Sequence, residues 1–202
     1  MRRPAVSTAV VSLAVLSAGA VLSACGAVHP GAAAIINGER ITQEDARIAT
    51  AAFCATAVAQ GGDVSRAEMA RQAIQQLVIA EVAEQVAADE NIDVEAVRLS
   101  AAELAQVEQQ FPDDVDAITA TFERIGKVNA IAEALGQRTG ADADAAMEAG
   151  FATLQEAVQD GDLDIDPRFG IATPSLTVTG SGSLSVPDPE NVPRTTRATS
   201  CA

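Results

Sequence analysis

Aromatic residues are nearly missing from this chain of 202, which has five Phe and neither Tyr nor Trp. It also has one His, one Lys and three Cys, and its 13 basic residues face 28 acidic ones. Each shortage excludes something. An all-β fold draws on aromatic and β-branched side chains, so a sheet-dominated domain is not expected. Nucleic-acid binding needs basic surface and, for single strands, stacking rings, so no nucleic-acid partner is expected. The lone His29 lies among small residues, with no companion ligands for a metal and no nucleophile to serve as base. A glycine-rich phosphate cradle is absent too, so nucleotide, cofactor, metal and catalytic residues are all expected to be none. What the chain does have is alanine, 43 residues of it, within a hydrophobic share of 48%. Such a composition suits one domain whose helices approach closely over small side chains.

The N-terminus speaks to compartment. Met1-Arg2-Arg3 is a positive start, and residues 4–24 carry no charge. The run ends Leu22-Ser23-Ala24-Cys25, small residues before a cleavage point as in a secretory signal peptide. The Cys directly after them resembles the bacterial lipobox, in which the thiol is diacylglycerylated before cleavage. That resemblance implies residues 1–24 as a lipoprotein signal peptide and Cys25 as the lipid attachment site. The alternatives are an uncleaved anchor, since about 20 apolar residues span a bilayer, or a soluble-secretion signal followed by a chance Cys. All three place residues 26 onward outside the cytoplasm. Removing Arg2 and Arg3 leaves a formal charge of −17. An anionic membrane repels that charge, so a lipid rather than a basic patch must hold the protein at the extracytoplasmic face of the cell membrane.

Residues 25–33 read as a small, flexible tether and residues 34–170 as the domain. Ala34-Ile35-Ile36-Asn37-Gly38-Glu39-Arg40-Ile41-Thr42 predicts two short strands about an Asn-Gly hairpin turn. Thr42 then caps a helix with Ala46, Ala49, Phe53 and Ala57 on one face, stopped by Gly61-Gly62. Ser65-Arg66-Ala67-Glu68 opens a second helix as a capping box. Its residues Ile74, Leu77, Val78, Ile79, Val82 and Val86 are apolar broadly enough for packing on more than one side. It ends near Asn91. A third helix is expected after Asp93, with Val97, Ala101, Leu104 and Val107 inward, stopping before Pro112. A fourth, about 113–140, carries the cleanest stripe: Val115, Ile118, Phe122, Ile125, Val128, Ala132 and Leu135. A fifth, about 142–160, carries Met147, Phe151, Leu154 and Val158.

Prolines crowd the end, so helix is finished by about residue 160. Leu163-Asp164-Ile165-Asp166 alternates like a short strand. Residues 171–202 read as a Pro/Ser/Thr-rich tail, in which Leu176-Thr177-Val178-Thr179 and Ser183-Leu184-Ser185-Val186 form either a hairpin or a flexible segment. The fold class expected is mainly α, five helices with a small β element joining residues 34–41 to 163–170.

The order of these signals resembles the SurA-type chaperone N-terminal domain. Ile35-Ile36-Asn37-Gly38, the Ile41-Thr42 pair and a capped helix match its start, and Leu77-Val78 matches the paired apolar residues of its second helix. The turn Asn91-Ile92-Asp93-Val94 places Asn where the family has Gly, a compatible departure because Asn tolerates left-handed backbone. Asp166-Pro167-Arg168-Phe169-Gly170 is similar to the segment that brings the closing strand back beside the first. The resemblance spans residues 34–170. It implies an extracytoplasmic, ATP-independent chaperone whose helical cradle shelters apolar segments of unfolded or secreted polypeptides. Many members also carry a parvulin isomerase domain; no room exists for one here, and its His residues are missing, so no isomerase activity is expected.

Of the acids Asp113, Asp114, Asp142 and Asp144, the first three read as helix-start residues and all four as solvated. The run Asp160, Asp162, Asp164 and Asp166 lacks the terminal Glu of an EF-hand loop and reads as solvated. With Cys25 acylated, Cys54 and Cys201 are the remaining thiols in a compartment that permits disulfides, so a Cys54–Cys201 bridge is expected. The alternatives are an inert buried Cys54 with a frayed Cys201, or an intermolecular link. Two function classes survive, a lipid-anchored holdase and a non-enzymatic envelope-structural or interaction lipoprotein. Full burial of Leu77, Ile79 and Val82 would favour the second. Cys25→Ser is expected to abolish membrane retention, and a wild-type chain that takes up no labelled fatty acid would contradict the lipid assignment.

Overall fold

The structure is a computed structural model that describes residues 30–179 together with 200 and 201. The expected signal peptide 1–24, Cys25, His29 and Ser183-Leu184-Ser185-Val186 lie outside the described residues. Five α-helices carry the described domain, and two small antiparallel sheets accompany them. No described helix is long and apolar enough to cross a membrane.

The chain enters as strand β1 (Ala32–Ile36), turns at Asn37 and Gly38, and returns as β2 (Glu39–Thr42). Both turn residues have positive φ, 52° and 88°, the conformation for which Asn-Gly is selected. After the helices, β3 (Leu163–Ile165) pairs antiparallel with β1, Ala34 opposite Ile165 and Ile36 opposite Leu163, giving the order β2-β1-β3. The Asn37 side chain ties this corner together. Its Oδ1 accepts from the Asp162 amide at 3.0 Å, and its Nδ2 donates to Gln85 Oε1 at 2.7 Å.

Helix α1 (Gln43–Ala59) starts on a full capping box between Thr42 and Asp45. Helix α2 (Arg66–Asp89) starts on Ser65, whose side chain accepts from the Glu68 amide. It ends in a Schellman arrangement in which Asn91 takes φ 52° and the Ile92 amide donates to the Ala87 carbonyl at 2.7 Å. Two faces of α2 are buried. Ile74, Leu77, Val78 and Val82 meet the sheet and α1, while Ala80, Ala83 and Ala87 meet the later helices.

The third helix is shorter than its sequence pattern suggested. Residues 92–100 are not helical, and α3 (Ala101–Gln110) begins at a capping box between Ser100 and Glu103. That reciprocal pair satisfies two amides and outcompetes the simple acid at Asp93 as a start. The Ser100 hydroxyl and amide hold the Glu103 carboxyl below its ordinary range. Of the residues expected inward, Val107 is buried and Leu104 half-buried, whereas Ala101 is exposed. Val97 precedes the helix and covers Gly126 of α4 (Val115–Arg138), where a Cβ would lie 2.9 Å from the valine Cγ1.

Helices α4 and α5 (Ala143–Asp160) form the closest helix pair. A Cβ on Gly136 would stand 1.8 Å from the Ala146 carbonyl oxygen, and one on Gly150 would stand 1.7 Å from that of Ala132. The buried face of α5 is therefore Ala146, Gly150, Leu154 and Val158. Met147 and Phe151, read as members of that apolar set, are 37% and 38% exposed, because the α4 backbone occupies the face beside Gly150 and turns them outward.

Beyond β3, Asp166 caps a single turn at Pro167–Phe169 and stitches it to the sheet. Its amide donates to the Ala33 carbonyl at 3.0 Å, and its carboxylate accepts from Gln43 Nε2 and from the Arg168 guanidinium. The segment from 171, read as the start of the tail, belongs to the fold. β4 (Ile171–Ala172) pairs with β5 (Thr177–Val178), and Ile171 lies in the core. Thr177 and Val178 thus find a partner upstream of themselves, in Ala172 and Ile171.

Two outcomes test these contacts. A Gly→Ala change inside a helix ordinarily stabilises by about 1 kcal/mol. Here Gly150→Ala and Gly136→Ala should each destabilise by about 1–3 kcal/mol in urea unfolding, because the helices must part. A gain in stability would show that α4 and α5 separate freely. The Arg168 hydrogen bonds hold the Asp166 carboxyl below its ordinary range. The unfolded chain therefore takes up that proton first, so the stabilisation is in place above about pH 4 and is lost as pH falls below it. Asp166→Asn should cost about 1 kcal/mol at pH 7, with the difference from wild type closing toward pH 2.

Candidate functional site

Packing α5 through its glycine face leaves its other side free, and a groove forms there. Its walls are α2, α5 and the turn between β4 and β5, and its volume is about 700 Å³, inside the range typical of ligand sites. Ile79, Phe151, Leu154, Val158, Pro174 and Leu176 supply the apolar lining. Four glutamines, Gln75, Gln76, Gln155 and Gln159, supply most of the polar lining, and Glu148 is its one charged group.

Local structure explains the placement of each part. Gln75 and Ile79 stand one turn apart on α2, as do Gln155 and Gln159 on α5, so each pair shares a face. The turn residue Leu176 has φ 54°, and its carbonyl accepts a 2.6 Å hydrogen bond from Gln75 Nε2. That bond fastens the hairpin to α2 and closes one end of the groove. The amide side chains can both donate and accept. They therefore match a peptide backbone, which offers one donor and one acceptor per residue.

Two smaller hollows lie elsewhere. One, of about 350 Å³, sits between α1, α3 and α4 and is lined by Leu99, Val107, Phe111 and Phe122. The other, about 410 Å³ and wide open, has Arg47, Arg66, Thr50 and Phe169 on its walls. Arg47 is already engaged there. It holds the Glu44 carboxyl below its ordinary range through a side-chain hydrogen bond, and it also pairs with Asp114.

Of the residues singled out from sequence, Cys25 lies outside the described residues. Cys54 and Cys201 are joined by a disulfide, with their Cα atoms 5.0 Å apart. Leu77 and Val82 are buried, but Ile79 is only half-buried and lines the groove. The acids of the Asp160 to Asp166 run do not converge. No group of three or more His, Cys, Asp or Glu among the described residues could hold a metal ion. Asp142 instead caps α5, accepting from the Ala145 amide at 3.0 Å. Sequence reasoning missed the glutamine rim, whose signal was the i, i+4 repeat of Gln155 and Gln159 beside an apolar stripe. It also missed the Pro174–Leu176 wall, which had no local signal tying it to α2. Comparison of the chain with protein families, curated proteins and solved structures gives no match.

Proposed function

We propose that this chain is a lipid-anchored, extracytoplasmic, ATP-independent chaperone-like protein that holds extended apolar polypeptide in the α2–α5 groove. The observation that carries the reading is the groove's make-up, an apolar lining edged by neutral amides. Apolar client side chains would leave water against Ile79, Phe151 and Leu176, at about 1.5–3 kcal/mol for each large side chain fully buried. The glutamines would meet client backbone without selecting a sequence. Net charge supports the role, since a formal −17 once Arg2 and Arg3 are removed keeps an apolar surface from self-association. The SurA-like order of elements and the Leu22-Ser23-Ala24-Cys25 boundary support the compartment and the anchor. A second reading, a non-enzymatic envelope-structural or interaction lipoprotein, calls for full burial of Leu77, Ile79 and Val82, and the half-buried Ile79 in the groove wall counts against it.

The test is an aggregation-suppression assay with the full chain in detergent, several unrelated unfolded clients and no nucleotide. The wild type should slow aggregation. Phe151→Gln, at an already exposed position, should keep the helical circular dichroism signal and weaken client-peptide binding about tenfold, equivalent to about 1.4 kcal/mol. If the wild type neither slows aggregation nor binds client peptides, the structural-lipoprotein reading takes its place.

A further inference from the structure

Cys54 and Cys201 do more than join two distant residues. Cys54 lies on α1 and is 5% exposed, whereas Cys201 is only half-buried. The chain beside Cys201 is bound to a third place. Ser200 forms an isolated antiparallel bridge with Ser65, and the Cys201 amide donates to the Val64 carbonyl at 3.1 Å. Ser65 is the cap of α2, the helix on which both larger core clusters rest. The covalent bond therefore staples α1 to the capping corner of α2, across a connection that contains Gly61 at φ 76°.

We infer that the Cys54–Cys201 disulfide is a reversible thiol–disulfide exchange site, opened at Cys201 by a dithiol protein, and that opening it frees the α1–α2 corner while the rest of the fold stands. Exposure selects the sulfur attacked, because exchange rates depend on access. A thiolate of the dithiol attacks Cys201 Sγ, forming a mixed disulfide as the bond to Cys54 breaks. Cys54 departs with the electron pair and takes a proton. The second thiolate of the dithiol then attacks its own partner sulfur and releases Cys201, which is protonated in turn. The dithiol is oxidised to a disulfide, and two electrons and two protons reach the chain. Once the bond is open, the backbone contacts of Ser200 and Cys201 with Ser65 and Val64 must hold that short segment against the corner without its covalent tie to α1. Cys54 itself stays packed in α1. This inference does not depend on what the α2–α5 groove holds.

The test uses the full chain purified without reductant, and a Cys-X-X-Cys dithiol protein whose second cysteine is replaced by serine. A trapped mixed disulfide should map to Cys201 without denaturant, at a rate flat across low urea concentrations. Reduction should then raise amide hydrogen exchange over residues 60–66 and at 201, leaving α4 and α5 at wild-type protection. Cys201→Ser, which leaves the buried cysteine in place, should reproduce that pattern. A trap mapping to Cys54 would overturn the inference. So would a reduction rate that climbs with urea in step with global unfolding, or a corner whose exchange is unchanged once both thiols are free.

Discussion

Burial of α2 on two sides is the constraint from which the rest follows. Its large aliphatic residues Ile74, Leu77, Val78 and Val82 take one core cluster, and its alanines at 80, 83 and 87 take the other. A chain with so few aromatics cannot fill wide gaps between elements, so the second cluster is made by drawing backbones together. Close packing of that kind gains dispersion contacts that a wider spacing forfeits. It succeeds only because α4 and α5 bring Gly136 and Gly150 to the places where a Cβ would collide with carbonyl oxygens. The groove is a by-product of that geometry. Residues 150 and 151 point about 100° apart around a helix, so seating Gly150 against Ala132 swings Phe151 away from the core.

Local signals were legible in the sequence wherever one residue type has one physical reason to be there. The Asn37-Gly38 turn, the caps at Thr42 and Ser65, the left-handed Asn91 and the α4 stripe all belong to that class. The start of α3 was also legible in principle. Ser100-Ala101-Ala102-Glu103 has the same capping-box spacing as Ser65-Arg66-Ala67-Glu68, though the reciprocal bond from the acid is present only at Glu103, and the acid at Asp93 drew the expectation seven residues too early. Contacts between distant segments left weaker traces. Gly136 and Gly150 weaken a helix when read locally, and only the neighbouring helix gives each its reason. The same holds for Asn37, whose backbone role was visible while its side-chain bonds to Gln85 and Asp162 were not. The β4–β5 pairing escaped notice because two-residue strands have no periodicity to read.

Charge is distributed by a similar economy. Many acids serve helix starts, where unsatisfied amides and the helix dipole favour them. Asp45, Glu103 and Asp142 accept from backbone amides there, and Glu68 stands in the first turn of α2. Two arginines of α4 sit at junctions between helices. Arg124 on α4 reaches Glu81 and Glu84 on α2, and Arg138 at the end of α4 donates to the Glu90 and Asn91 carbonyls that close α2. One guanidinium thereby caps two helices, since it lies at the negative end of its own and satisfies orphan carbonyls of the other.

Against that background the neutrality of the groove rim is informative. A strongly acidic chain could have edged this concavity with carboxylates, which hold water tightly and repel acidic partners. It presents four glutamines and one glutamate there instead. Transferring an amide out of water costs far less than transferring a charge, and the cost is recovered when the amide meets another peptide group. A rim of this kind can therefore be covered by polypeptide backbone without stranding an ion. An acidic rim would need a cation from whatever covered it. Gln75 shows the interaction in miniature within the fold, donating from α2 to the backbone carbonyl of Leu176. Gln76, Gln155 and Gln159 offer the same chemistry along the groove.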